Sequence, residues 1–229
     1  MTIRHRTVEQ IIEEQAHRWQ LTRAEARKDR RRPVIAMSRQ PGAQGDEVAE
    51  RLAKTLGLDL FDRELIHQVS ESAHLSERVV SALDERDRSL LTDWMTSLAT
   101  PSYLSSYGYL YHLTRVVGAI ARHGGAVIVG RGAHLILQPG EALRVLVVAP
   151  LDSRVATLAT SLGLSERDAK HRIAEIEAER RAFFTKHFRA EYGDPMAFDL
   201  VVNTQVLGVE GAVETIQACL ARLPEPVTA

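Results

Sequence analysis

Val34-Ile-Ala-Met-Ser-Arg-Gln-Pro-Gly-Ala-Gln-Gly-Asp-Glu-Val-Ala49 is the stretch whose reading decides the fold. A short apolar run ends at Ser38, a glycine-bearing loop follows through Gly45, and a helical pattern begins at once. Val48, Ala49, Leu52, Ala53 and Leu56 recur at helix spacing, and Gly57 stands where a C-terminal cap belongs. Strand, glycine loop and helix in that order aim backbone N–H groups and a helix N-terminus at an anion, usually phosphate. Set against G-x-x-x-x-G-K-[ST], Gly45 fills the second glycine. Gln40 replaces the first, Asp46 the lysine and Glu47 the hydroxyl residue. The letters of the loop alone suit a phosphate cradle and an ordinary β–α turn equally.

The flanking sequence supplies the context. Thr7 with Gln10 forms a capping-box pattern, and Val8, Ile11, Ile12, Gln15, Ala16 and Trp19 trace one face of a helix. The charged run from Arg23 to Arg32 closes this zone at Pro33; residues 1–32 are thus an N-terminal helical extension that packs on the body or on a second copy. Beyond the first helix, Leu58 to Asp62 is a short apolar stretch, and Arg63-Glu64 opens another helix buried through Leu65, Ile66 and Val69. Ser76 reads as the N-cap of a helix carrying Val79, Val80 and Leu83. Residues 84–108 are the least regular segment, with Trp94, Pro101, Tyr103 and Tyr107, and Tyr109 and Tyr111 just beyond. Such tyrosines pack half-buried or stack on a base.

Leu110, Leu113, Val116, Val117 and Ile120 mark a helix stopped by Gly124-Gly125. Ala126 to Gly130 and Leu143 to Ala149 are compact apolar runs of the kind found in buried parallel strands. Pro150 opens a helix that ends before Gly163, Ser165 with Asp168 starts a long charged helix toward Phe184, Asp199 to Asn203 is a last strand, and Val209 to Leu220 a last helix. The alternation predicts an α/β sandwich with a parallel sheet covered on both faces. Ligands of such sheets bind beyond the C-terminal strand ends. Ser38-Arg39, Asp62-Arg63 and Gly130-Arg131 all fall there, and arginines converging beside a glycine loop suit an anion.

Composition narrows the classes. With 229 residues, 45% hydrophobic, 26% charged and a net charge of -1, the chain offers no global attraction for nucleic acid or membrane. No apolar run approaches the roughly 18 residues of a membrane span, and the N-terminus lacks the apolar core of a secretory signal. The single Cys219 excludes an internal disulfide and reads as a small core residue in a reducing, cytoplasmic setting. Nine histidines without H-E-x-x-H or cysteine companions argue against zinc.

Taken in order, several motifs resemble the cytidylate kinase-like proteins, a branch of the P-loop nucleoside monophosphate kinases. They are Ile35-Ala-Met-Ser-Arg39 with Gly42 and Gly45, Phe61 to Ile66, Val127-Ile-Val-Gly-Arg131 and Arg144 to Pro150. Glu177 with Arg180-Arg181 and Phe183, Gly193-Asp-Pro195 and Phe198 to Thr204 complete the set. The resemblance spans roughly residues 33–220. It implies a P-loop NTPase-like three-layer sandwich with a five-stranded parallel sheet, within a kinase domain at 33–222. An acceptor-binding insertion at about 62–123, a lid at about 165–195 and a tail at 223–229 complete the organisation. The implied reaction is transfer of the ATP γ-phosphoryl, with Mg²⁺, to a nucleoside monophosphate, CMP or dCMP favoured.

By the same resemblance, Ser38, Arg39, Gly42, Ala43, Gln44 and Gly45 bind the ATP phosphates. Asp62, Arg63 and Arg131 bind the acceptor, and Arg180, Arg181 and Arg39 serve catalysis. Lys186, His187 and Arg189 are lid candidates of lower rank, and the metal ligands are unassigned. The expected partner is the small acceptor, without nucleic acid or membrane, and the N-terminal helix is a candidate homodimer contact. Two departures stand out. Asp46 occupies a position where relatives carry lysine or arginine; a carboxylate about 4 Å from a phosphate charge is repelled by roughly 4 kcal/mol at an effective dielectric of about 20. Asp46 is therefore expected to turn outward, with Arg39 or a lid arginine supplying the missing charge. Gly132 stands where conventional cytidylate kinases carry an aspartate, which leaves the base choice open. The alternatives are a weak or inactive nucleotide-binding module with a regulatory or partner-binding role, and a kinase for another small acceptor.

Overall fold

The structure, a computed structural model, describes residues 7–26, 32–98 and 108–222. Arg27 to Arg31, Pro101, Tyr103, Tyr107 and the tail 223–229 lie outside the described residues. The chain divides into two compact units, Met1–Arg32 with Phe61–Gly125 and Pro33–Leu60 with Ala126–Ala229.

The sheet has five strands, β1 (Val34–Arg39), β2 (Asp59–Phe61), β3 (Ala126–Val129), β4 (Leu143–Val148) and β5 (Leu200–Asn203), in the order β2-β3-β1-β4-β5. β1 lies at the centre, parallel to β3 and β4, and β4 runs parallel to β5. Ile35, Met37, Val127, Val129, Leu143, Val145 and Val147 pack on one side with Val48 and Leu52 of α2 (Gly45–Leu56) and with Val213 and Ile216 of α10 (Thr204–Leu220). Ala36, Ile128 and Leu146 point to the other side and are buried too. Both faces are covered, so the strands read as unbroken apolar runs instead of alternating. Each fully buried Leu or Val contributes about 1.5–3 kcal/mol. This is the α/β sandwich that the alternation of elements predicts, with the five-stranded parallel sheet of the P-loop NTPase-like fold that the resemblance implies.

Local chemistry sets the ends of these elements. Gly57 takes the left-handed conformation (φ 62°) and its N–H caps the last carbonyls of α2. Ser165 accepts from the Asp168 amide at 3.2 Å and starts α9 (Glu166–Phe188), which packs on α8 (Leu151–Leu162) through Ile173, Ala169 and Val155. In α10, Gly208 at φ 64°, ψ −179° separates a first turn from the main helix, which follows the expected start at Val209. Arg144 holds the entry to β5: its guanidinium and backbone N–H all donate to the Asp199 carboxylate, at 2.5–3.0 Å. That bonding keeps Asp199 below the usual carboxylate range.

The other unit is helical, with α1 (Val8–Ala26), α3 (Arg63–Glu71), α4 (Ala73–Ser81), α5 (Glu85–Leu98) and α6 (Tyr109–His123). The capping box of α1 forms in both directions, Thr7 N–H to Gln10 Oε1 at 3.0 Å and Gln10 N–H to Thr7 Oγ1 at 3.2 Å. Ile12, Gln15, Ala16 and Trp19 are buried, α1 lies against α3 and α4, and Trp19 stacks on His123 at 3.8 Å. The face of α1 that was a candidate homodimer contact is therefore covered by its own chain, and the dimer expectation finds no support there. Two local expectations change. Ser72, not Ser76, caps α4, accepting from the Leu75 amide at 3.3 Å; Ser76 is fully buried, with its Oγ 3.3 Å from His112 Nδ1. Residues 85–98 of the supposedly irregular segment form α5, capped by Asp84, whose carboxylate accepts from the Asp87 amide at 2.7 Å.

A short helix absent from the sequence reading, α7 (Ala133–Ile136), follows β3. Its His134 is 3% exposed and stacks on Phe198 at 4.2 Å and Phe184 at 5.6 Å. Burial, then the Arg144 charge, push its pKa down to about 4. An unfolded imidazole titrates near 6.5. Between those values the unfolded chain binds the extra proton, so stability falls as pH drops from about 6.5 toward 4, by roughly 3 kcal/mol in all. His134→Phe keeps the stack and removes the titration. In urea unfolding at pH 7 and pH 4.5, the variant is expected to lose about 2–3 kcal/mol less than the parent over that interval; equal losses would contradict the assignment.

Candidate active site

The loop after β1 is held through its carbonyl and side-chain oxygens. Arg39 O accepts from the Arg180 guanidinium and, at 3.3 Å, from the Tyr192 hydroxyl. Gln40 Oε1 accepts from the Ala149 amide at 3.2 Å, Pro41 O from Arg154 Nη1 at 3.5 Å, and Ala43 O from Thr204 Oγ1 at 3.0 Å. The loop turns on itself through Ala43 N–H to Gln40 O at 3.2 Å. Gly42 is obligatory here: φ is +80°, and a Cβ would stand 2.4 Å from Arg154 O. Gly45 is equally confined, since a Cβ would meet Arg39 Cβ at 2.4 Å.

Gln44 is the N-cap of α2, left-handed at φ 55° and without a side-chain cap. The amides of Gly45, Asp46 and Glu47 are first-turn donors with no acceptor inside the helix. Engaged carbonyls on one side and open amides on the other make an anion cradle at the C-terminal edge of the central strand. Ser38 lies one residue short of it, buried at 6% exposure and paired with Leu146 in the sheet, and Ala43 is part of the core.

Asp46 turns outward, as its charge requires, with 69% of its side chain exposed. Arg39, only 11% exposed, reaches it through Nε at 2.9 Å and Nη2 at 2.8 Å. The substitute cation expected for the cradle is thus paired with the residue that displaced the lysine. An ion pair with one exposed partner is worth about 0–1 kcal/mol, so an arriving phosphate can compete for the arginine. Glu47 pairs with Arg51 at 2.8 Å.

The long helix α9 sets Arg180 and Arg181 in different surroundings. Arg180 is half-buried and donates to Arg39 O and, at 3.0 Å, to the Tyr192 hydroxyl; among the described residues no carboxylate pairs with it. Arg181 is 57% exposed and shares Glu177 at 3.7 Å. Arg180 therefore carries uncompensated charge against the loop, whereas Arg181 faces solvent. Lys186 is exposed, Arg189 is the left-handed C-cap of α9, and burial together with Lys186 and Arg131 lowers the His187 pKa.

Arg131 ends the strand next to β1, in a turn where Gly130, Arg131 and Gly132 all have positive φ (79°, 49° and 72°). A non-glycine residue held there is strained, a feature that gathers at functional sites. Its guanidinium lies 5.4 Å from the centre of the Phe183 ring. Gly132 has a steric reason of its own, since a Cβ would meet the Phe188 ring at 2.5 Å. Asp62 and Arg63 belong to the helical unit, where Asp62 caps α3 by accepting from the Leu65 amide at 2.8 Å.

Sequence reading missed Arg154, Tyr192 and Thr204 as residues that hold the loop. Arg154 offered a faint signal, since it stands with Val155 and Leu158 among the residues that trace α8 in the sequence. Among the described residues no group of three or more His, Cys, Asp or Glu side chains is placed to hold a metal ion. No described helix is long and apolar enough to cross a membrane.

A profile of the cytidylate kinase-like family matches residues 34–206. The chain belongs to the cytidylate kinase-like family. It is 29% identical to a cytidylate kinase of Ignicoccus hospitalis over 82% of this chain and 98% of that one. With a cytidylate kinase of Aeropyrum pernix the identity is 27%, over 77% and 92%. Among solved structures it is similar to an uncharacterized protein from Eubacterium ventriosum, with a TM-score of 0.58 and 17% identity over 84% of this chain and all of that one, a likeness of fold. Membership places the chain in a nucleoside monophosphate kinase-like family and supports a kinase, a phosphotransferase.

Gly42→Ala tests how the cradle is pinned. Gly57 shares the left-handed backbone but has nothing within 4 Å of an added Cβ. Gly57→Ala is expected to cost about 1 kcal/mol, and Gly42→Ala clearly more, on the order of 2–4 kcal/mol, because a backbone carbonyl must also yield. Equal costs in thermal melts would mean that Arg154 does not confine the loop.

Proposed function

We propose that this family member transfers the γ-phosphoryl of ATP to a nucleoside monophosphate, CMP or dCMP being the preferred acceptor. The observation that carries the reading is the cradle after β1, with open first-turn amides, Arg39 within it and Arg180 uncompensated against it. Phosphoryl transfer asks little covalent help from a protein; it needs two substrates in line and fixed cations around the moving charge. An acceptor phosphate oxygen forms the new bond to the γ-phosphorus, the bond to the bridging oxygen breaks, and ADP leaves.

In this reading the loop amides and Arg39 hold the ATP phosphates, and Arg180 meets the transferring group. Arg181 acts only if α9 moves. Arg131 takes the acceptor phosphate, and Asp62 and Arg63 keep the acceptor role that the resemblance gives them. Mg²⁺ arrives with the nucleotide as the counter-ion of its phosphates, since such ions keep their waters and need few protein ligands. The names of the archaeal relatives support CMP. Gly132, backed by Phe188, means that no side chain at that position reads the base.

A coupled ADP-release assay across CMP, dCMP, UMP, AMP and GMP tests this directly. Turnover is expected with CMP or dCMP first. Arg180→Ala is expected to lower kcat by on the order of 10³-fold and Arg181→Ala by far less. No turnover with any of the five would sink the reading.

The Arg39–Asp46 pair favours a second reading, a module that binds nucleotide without turning it over. Calorimetry separates the two, since tight ATP binding by a protein without turnover belongs to the module. Asp46→Asn removes the charge that pairs with Arg39 from the solvent side and is expected to tighten ATP by about tenfold, close to 1.4 kcal/mol; weaker binding would show that the pair itself shapes the cradle.

A further inference from the structure

Arg154, near the start of α8, is 7% exposed, and a buried guanidinium is tolerated only when its charge and donors are met. Its Nε donates to Ala149 O at 3.0 Å, and Nη1 to Pro41 O at 3.5 Å and to the Glu177 carboxylate at 2.7 Å. Its backbone also bears on the loop, since Arg154 O is the atom that confines Gly42. Glu177 lies on α9 one turn before Arg180, on the face that meets the loop, and its second oxygen is 3.7 Å from Arg181. One carboxylate on the lid helix thus fixes the arginine on which the loop leans.

We infer that Glu177 is a positioning residue for the nucleotide: through Arg154 it holds the phosphate loop in its binding geometry, and so sets nucleotide affinity without touching the acceptor. The part concerning nucleotide rests on the kinase reading above; the part concerning the loop does not. A plain structural pair would support the whole fold evenly. This one acts on residues 40–46, because among the described residues every bond of the Arg154 guanidinium besides the one to Glu177 goes to Pro41 of the loop or to Ala149 just past β4, whose amide holds Gln40.

Two variants test it. Glu177→Gln keeps an acceptor for Arg154 without the charge. The double variant Glu177→Leu with Arg154→Met removes both charges together, which spares the protein a buried unpaired ion. Amide hydrogen exchange is read at Ala43 and Val48, whose N–H groups donate to Gln40 O at 3.2 Å and Gln44 O at 3.0 Å, with β1 and β4 as internal reference. The double variant is expected to exchange about tenfold or more faster at the loop while the reference strands stay protected, and Glu177→Gln to remain within about threefold of the parent. ATP affinity by calorimetry and the ATP KM are expected to weaken by about tenfold or more in the double variant, with the acceptor KM within about twofold. Unchanged loop exchange in the folded double variant overturns the inference, as does a loss of protection spread over loop and strands alike. If the parent binds no ATP, the kinase reading fails, and the exchange result still decides the positioning role.

Discussion

The site depends on a division of labour within one loop: its carbonyl oxygens are engaged from behind and its leading amides are left open. Arg180 and Tyr192 hold Arg39 O, Arg154 holds Pro41 O, and Thr204 holds Ala43 O. These donors come from α9, the segment after it, α8 and the start of α10. A loop so anchored does not have to reorganise its dipoles when an anion arrives, which is where fixed donors gain their advantage over water. The central place of β1 follows from the same demand. With β3 on one side and β4 on the other, β1 delivers Gln40 to Val147 O and the Ala149 amide at the end from which the loop departs.

Much of this was legible in the letters. The apolar run of β1, the restart of periodicity at Val48 and the glycine at 57 define strand, loop and helix without any partner, because each signal is local. Asp46 was legible as a contradiction, and Coulomb's law turned it outward. Its partnership with Arg39 was not, since seven residues apart across a loop is no regular spacing. Gly42 looked like any turn glycine; its need comes from Arg154, 112 positions later, and no local pattern records that. Ser72 and Ser76 are both reasonable caps by sequence. Packing decides between them, by burying Ser76 beside His112. α5 went unread because its first four residues, Glu85 to Arg88, are all charged, and Leu90, Leu91, Trp94 and Met95 begin its apolar stripe only after them.

The replacement of a P-loop lysine by aspartate changes how the cradle keeps its charge. A lysine would present a mobile ammonium on a flexible stem, whereas Arg39 ends in a planar guanidinium on a stem whose Cβ and Cγ lie close against Gly45. Asp46 meets that cation from the solvent side and keeps the two-residue combination near neutral when nothing is bound. Because the carboxylate is exposed and an arriving phosphate takes its place on the arginine, separating the pair strands no buried ion. The arrangement therefore holds a positive charge in reserve at small cost, and Arg180, which has no carboxylate partner among the described residues, is the charge already in place.

The long helix α9 then accounts for why its face carries such different residues. Ile173, Glu177, Arg180, Phe184 and Phe188 recur three or four positions apart and so share one side. Ile173 packs on α8, Glu177 meets Arg154, Arg180 meets the loop, Phe184 stacks on His134, and Phe188 fills the space above Gly132. An apolar stripe alone would have fixed the helix but left the loop without donors. A fully charged one would have lost the packing that locates those donors to within a hydrogen bond. Mixing the two along one face weakens the amphipathic signal that sequence reading relies on. It is also what lets a single element hold the phosphate loop at one end and the Arg131 turn, through Phe183 and Phe188, at the other.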